Sequence, residues 1–169
     1  SGRSRRLVRS WRDHYDSDVS FCRTDATAVA AVPDGWQIHL AAAGVLSVWD
    51  GSPLRSEDHH NKLWVRPGPD DPWVLDLTIS GGCIDRWIYR RQPAISRPWA
   101  TAVLIDQGTG VAYLAAELQL LFKSRNRCPK DDVDAAQVIP VLTADEAAWL
   151  QAALPNHHAW QQLVTERPG

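Results

Sequence analysis

Trp73-Val74-Leu75-Asp76-Leu77-Thr78-Ile79 is the most strand-like run in the chain. Alternation assigns Trp73, Leu75, Leu77 and Ile79 to one face and Val74, Asp76 and Thr78 to the other. Asp76 interrupts an otherwise apolar strand. A buried, unpaired carboxylate is costly, so Asp76 calls for a partner such as a metal or a reacting hydroxyl. Gly81-Gly82 ends the run, and Trp87 to Arg91 reads as a further strand paired with it through the intervening turn. Upstream lie Lys62 to Arg66 and a Pro/Gly/Asp turn at 67–72. Trp36 to Leu40 and Val45 to Trp49 read as two more strands, followed by the loop Asp50-Gly51-Ser52-Pro53 and the polar stretch 55–61. Pro33-Asp34-Gly35 marks a turn, and residues 24–32 suit a short helix capped by Thr24 or Asp25. Before them Val19, Phe21 and Arg23 alternate with Asp18, Ser20 and Cys22, the period of a half-buried first strand.

After about residue 110 the period changes. Tyr113, Leu114, Leu118, Leu121 and Phe122 recur at helical spacing. Pro129 opens a second helix, with Asp131, Asp132 and Asp134 where carboxylates favour the positive helix end. Thr143 and Glu146 form a capping box for a third helix that runs to about Leu154, before Pro155. Strands first and helices afterwards predict an α+β fold, with a mixed or antiparallel sheet followed by a C-terminal helical region. The expected organisation is a basic arm at 1–12, a sheet domain at 13–108 and a helical region at 109–169 packed on it.

Composition narrows the function classes. The 169 residues carry 18 basic and 20 acidic side chains, a net charge of −2, which argues against a general nucleic-acid coat protein. No apolar run reaches the length of a transmembrane helix and no stretch has the signal-peptide pattern, so no membrane partner is expected. Cys22, Cys83 and Cys128 are odd in number and widely spaced, which fits free, mostly buried thiols in a reducing cytoplasm. The nine tryptophans anchor cores and also offer stacking faces. The absence of methionine suggests a chain trimmed at its N-terminus. Arg3, Arg5, Arg6, Arg9 and Arg12 precede the first acidic residue, Asp13, and suit either phosphate binding or a solvated arm.

The chemistry centres on Asp16-Ser17-Asp18. Residues i and i+2 of an extended chain point to one side, so Asp16 and Asp18 can hold one hard cation between them, or bond nearby backbone amides. If their strand neighbours that of Asp76, three carboxylates converge. Such a cluster repels itself unless divalent ions neutralise it, and the natural ligand of those ions is a nucleoside triphosphate. The adjacent pairs His59-His60 and His157-His158 point their side chains apart and suit exposed loop or helix-end positions.

Arg12-Asp13-His14-Tyr15-Asp16-Ser17-Asp18-Val19 resembles the R-x-H-x-D-x-D-V strand of the nucleotidyltransferase superfamily, which has a DNA polymerase beta-like fold. The group it resembles most is the aminoglycoside-2''-adenylyltransferase-like proteins. Trp36-Gln37-Ile38-His39, Pro72-Trp73-Val74-Leu75-Asp76 and Trp87-Ile88-Tyr89-Arg90-Arg91 follow in the family's order. Residues 113–123 (YLAAELQLLFK) are similar to its Y-L-x-P-E-x-Q-L-L-x-K helix, and 129–134 (PKDDVD) to its P-K-D-x-x-D segment. Trp149-Leu150 and His157-His158-Ala159-Trp160 echo the closing helices, so the resemblance spans roughly residues 12–163. Two departures stand out. Ala116 replaces the expected proline, and the glycine pair that cradles the triphosphate ahead of the metal strand has no clear counterpart.

The resemblance implies metal-dependent transfer of a nucleoside monophosphate from an NTP to a hydroxyl. Asp16, Asp18 and Asp76 would hold one or two Mg2+ ions, and Asp76 would complete the site or take the proton of the attacking hydroxyl. Arg12, His14 and Lys123 would contact the nucleotide, with Arg90, Glu117, Lys130 and Asp131 bordering the pocket. Lys123 equally suits a helix C-terminus, and Lys130 and Asp131 a helix cap. The expected acceptor is a small molecule of aminoglycoside type. The alternatives are a toxin that modifies tRNA 3' ends beside a cognate antitoxin, favoured by the N-terminal arginines, or a degenerate member that binds without turnover.

Overall fold

The computed structural model describes residues 17–29, 33–55, 59–82 and 85–167. Its elements are mixed α and β, strands first. The first seven strands are β1 (Ser17–Cys22), β2 (Gln37–Ala42), β3 (Val45–Val48), β4 (Lys62–Arg66), β5 (Leu75–Gly82), β6 (Arg86–Ile88) and β7 (Ser96–Pro98). A 3-10 turn (Arg23–Asp25) and a single helical turn, α1 (Ala26–Val29), link β1 to the segment before β2. Then come α2 (Trp99–Ala102), β8 (Val103–Ile105), β9 (Ala112–Leu114), α3 (Ala116–Ser124), α4 (Pro129–Val138), α5 (Ala144–Ala153) and α6 (Trp160–Thr165). By their contacts these fall into two units, with the boundary between Arg97 and Pro98, so α2 and the β8–β9 hairpin group with the helices. No described helix is long and apolar enough to cross a membrane.

The sheet is mixed, in the order β3-β2-β4-β5-β6-β7, with β1 pairing β5. β1 and β5 run parallel, whereas β2–β3, β2–β4, β4–β5 and β5–β6 are antiparallel. The register explains the core. Leu63 faces Leu77 and Val65 faces Leu75 across β4–β5; Ile38 and Leu40 on β2 face Val65 and Leu63. Val19 and Phe21 stand across from Leu77 and Ile79. One face is therefore apolar, and Leu63, Val65, Leu77 and Ile79 are buried on it with Ala26, Trp49 and Leu54. Each buried leucine, isoleucine or valine among them contributes about 1.5–3 kcal/mol by leaving water. The opposite face carries Asp18, Ser20, Asp76, Thr78, Lys62, Trp64, Arg66, Gln37 and His39 by the same alternation.

The β2–β3 hairpin turns through Ala43 (φ 49°) and Gly44 (φ 79°). Two successive positive φ values match the right-handed twist of the flanking strands.

The structure departs from the periodic reading at Trp73, at residues 113–114 and after β5, where Gly81 and Gly82 pair with Ile88 and Trp87 inside the ladder instead of ending it and the strand read at Trp87 to Arg91 stops at Ile88. Trp73 does not belong with Leu75, Leu77 and Ile79. β5 begins at Leu75, just after the Val74 N–H donates to the Val65 carbonyl at 3.0 Å, and Trp73 packs against residues of the opposite face. Tyr113 and Leu114 lie in β9, paired with Leu104 and Val103, and α3 starts only at Ala116. Leu118, Leu120 and Leu121 are the buried apolar residues of that helix.

The helical unit follows its capping signals. Pro129 stands at the start of α4, where Asp131 accepts the Cys128 N–H at 3.0 Å. Thr143 caps α5: its Oγ1 accepts the Glu146 N–H at 3.3 Å, and Glu146 accepts the Thr143 N–H at 2.8 Å. α3 packs against α4 and α5, and α5 against α6, around Leu118, Leu150 and Trp160, all at most 1% exposed. Cys22 and Cys128 are half-buried, not fully buried; Cys83 lies outside the described residues.

Candidate functional site

Asp18 stands directly across from Asp76 in the parallel β1–β5 pair. Register partners in a parallel pair project from the same face, and adjacent strands lie about 4.8 Å apart. Two carboxylates that are distant in sequence thus become neighbours on the polar side of the sheet. Asp18 is exposed, and the Asp76 side chain retains 15% of its exposure.

Two further side chains among the described residues contact Asp76. The Lys62 ammonium binds its Oδ2, reaching diagonally from β4, where Lys62 faces Thr78 and Trp64 faces Asp76. The Thr78 hydroxyl donates to Oδ1 at 3.4 Å, a long contact. Lys62 itself is 42% exposed. An aspartate inside an apolar strand needs compensation, and here the described compensation is an ammonium and a hydroxyl.

An aromatic cluster adjoins this group. Trp64 is the register partner of Asp76 on one side and of His39 on the other. Trp73 meets His39 edge to face with ring centroids 5.0 Å apart, and Trp64 at 5.7 Å. The Arg66 guanidinium lies 4.5 Å from the Trp73 ring centroid, while its Nε donates to Gln37 Oε1 at 3.0 Å. Burial first, and then the Arg66 charge, hold the His39 imidazole below its ordinary pKa. His39 Nδ1 is buried with no hydrogen-bond partner among the described residues, so a proton there would be an uncompensated buried donor. The neutral ring is the form that fits.

In the helical unit, Lys123 binds Asp134, and Asp131 Oδ1 lies 3.9 Å from its ammonium. These contacts tie α3 to α4. Burial raises the Asp131 pKa, but the Cys128 thiol and amide, with Lys123 and Lys130, outweigh it and leave the carboxyl below its ordinary value. Glu117 is 1% exposed on α3, and Lys130 is exposed in the first turn of α4. Arg90 is exposed in the turn after β6.

The structure therefore brings Asp18 and Asp76 together within the sheet unit, and Lys123, Asp131 and Asp134 together within the helical unit. Arg12, His14 and Asp16 lie outside the described residues. Among the described residues no group of three or more His, Cys, Asp or Glu side chains is arranged to hold a metal. The Asp18–Asp76 pair nonetheless fits Mg2+, which keeps most of its water and takes only one or two carboxylates beside substrate phosphates. Sequence reasoning missed Lys62, Thr78 as a partner of Asp76, and the cluster around Trp73. The alternation Lys62-Leu63-Trp64-Val65-Arg66 held the signal, since it sets Lys62, Trp64 and Arg66 on one face.

Comparison of the chain with protein-family models, curated proteins and solved structures gives no match.

Proposed function

We propose that this chain is a metal-dependent nucleotidyltransferase that moves a nucleoside monophosphate from an NTP to the hydroxyl of a small, cationic, aminoglycoside-type acceptor, on a nucleotidyltransferase-type sheet. The observation that carries the reading is the register of Asp18 against Asp76 on adjacent parallel strands. It supports the convergence that the D-x-D resemblance requires. Asp18 and Asp76, with Asp16 by its place in the motif, would hold Mg2+. When bound, that ion supplies charge neutralisation at the α-phosphate and the leaving pyrophosphate, and makes the acceptor hydroxyl more acidic.

The chain's own groups have separable tasks. Thr78 orients the Asp76 carboxylate through Oδ1. Asp76 takes the hydroxyl proton as the acceptor oxygen bonds to the α-phosphorus and pyrophosphate departs. Trp64 supplies a wall beside the carboxylates. Asp70 and Asp71, exposed between β4 and β5, favour a cationic acceptor.

The Lys62 ion pair favours a second reading, in which the protein binds nucleotide without turnover, because an ammonium of the chain itself can compensate Asp76. One assay separates the two. Labelled ATP, GTP, CTP and UTP are incubated with Mg2+, the full chain and aminoglycosides, lincosamides or total tRNA. Transfer of label to a drug with pyrophosphate release, lost in Asp18→Ala and Asp76→Asn, is the expected result. Label on tRNA changes the acceptor class to RNA. Calorimetric binding of an NTP without transfer to any acceptor selects the second reading, and no binding at all removes both.

A further inference from the structure

We propose that Lys62 is a displaceable counter-ion of the carboxylate pair: its ammonium and a divalent cation compete for Asp76, and the cation must evict the lysine to bind. The inference rests on the reading of Asp18 and Asp76 as metal ligands. It concerns how occupancy of that site is regulated by the protein itself.

Three observations carry it. The ammonium binds the Oδ2 oxygen of Asp76, one of only two donor atoms that this carboxylate offers a metal. The two partners differ in freedom. The Asp76 side chain is 15% exposed, on a strand paired on both sides, whereas Lys62 is 42% exposed on a flexible four-carbon stem. The lysine is thus the partner that can withdraw into water. Finally, Asp18 stands beside Asp76 on the same face, so an ion that displaced the lysine would have a second carboxylate within reach.

A purely structural role makes a different prediction. Lys62 would then be a cross-strand ion pair between β4 and β5. Its removal would loosen the sheet and leave metal affinity unchanged or reduced. The counter-ion role requires the opposite sign, because deleting the competitor frees Oδ2.

The test is Mn2+ titration of the full chain, followed through the electron paramagnetic resonance signal of the free ion. Wild type, Lys62→Met, Lys62→Gln and Asp76→Asn are compared, with circular dichroism to confirm folding. Lys62→Met and Lys62→Gln should each bind Mn2+ about fivefold more tightly than wild type, the affinity equivalent of one partly exposed ion pair. Asp76→Asn should bind it more weakly. If wild type binds Mn2+ and both Lys62 variants bind it equally or less well, the counter-ion inference falls while the metal-site reading stands. If Asp76→Asn binds as well as wild type, or no variant binds Mn2+ with or without ATP, both fall together. Gln and Met keep most of the stem, so misfolding of one leaves the other to decide.

Discussion

Asp76→Asn is the substitution that most sharply separates chemistry from architecture in this protein. Asparagine keeps the shape of the side chain and its Oδ1 acceptor for Thr78, but loses the negative charge and the strong base. The structural cost is bounded by what the carboxylate touches. Its ion pair with Lys62 is partly exposed, at 42% and 15% for the two side chains, a setting in which such pairs contribute about 0.2–1 kcal/mol. The Thr78 contact at 3.4 Å is long and adds little. The sheet unit should therefore lose no more than about 1 kcal/mol, which corresponds to about 4–8 °C in Tm for a unit of this size. The expected catalytic cost is far larger. Loss of a proton acceptor alone removes about 10²–10⁴ in rate, before any weakening of metal binding. The assay pairs thermal unfolding by circular dichroism with label transfer at saturating NTP. Turnover within twofold of wild type would refute the assignment. Lost turnover accompanied by a collapse in Tm would show that Asp76 serves the sheet and not the reaction.

Other expectations follow from the same geometry. Leu63→Ala removes a side chain with no exposure at the β4–β5 centre and should cost about 2–5 kcal/mol in urea unfolding; a loss under 1 kcal/mol would mean that the core lies elsewhere. Because the folded state holds the His39 pKa below its unfolded value, the unfolded chain takes up the extra proton first. Stability should thus fall as pH drops through about 6.5 and towards the folded value, and His39→Gln should flatten that slope in unfolding curves at pH 7.5 and 5. Thr143→Ala should cost about 0.5–2 kcal/mol through loss of the α5 cap, whereas Thr143→Ser should restore it; equal stabilities of the two would remove the cap from the account. Asp131 is held below its ordinary pKa, so its contribution is present above the unfolded value and lost as pH falls through the folded one. Asp131→Asn should remove that part of the acid transition seen by tryptophan fluorescence.

Much of the sheet was legible because alternation survives in single segments. Leu75, Leu77 and Ile79 against Asp76 and Thr78 declare one dry and one wet face without any knowledge of neighbours. The caps at Pro129 and Thr143 were legible for the same reason, since their partners sit three residues away or less. Pairing was not. Nothing local says that β1 lies beside β5, or that Lys62 reaches diagonally to Asp76; these are contacts between distant segments. Trp73 misled because its spacing fits the period of β5 although the chain enters the ladder only at Leu75. Tyr113 and Leu114 misled because i+4 and i+7 spacing across a strand-to-helix junction mimics one longer helix. The meeting of Asp18 and Asp76 could be posed from the sequence only as a condition, that their strands be neighbours, and the β1–β5 register meets that condition.

The parallel pairing of β1 with β5 has a consequence for assembly. The chain must complete β2, β3 and β4 before the strand that β1 needs exists, so a large loop closes when the two acidic residues meet. In the unfolded polypeptide they are strangers, and a divalent ion does not find Asp18 and Asp76 as a pair. Any ion that prefers the finished pair therefore favours the folded population by mass action. Under the proposed reading, magnesium in the refolding buffer would act as a thermodynamic ligand of the native state before any nucleotide arrives.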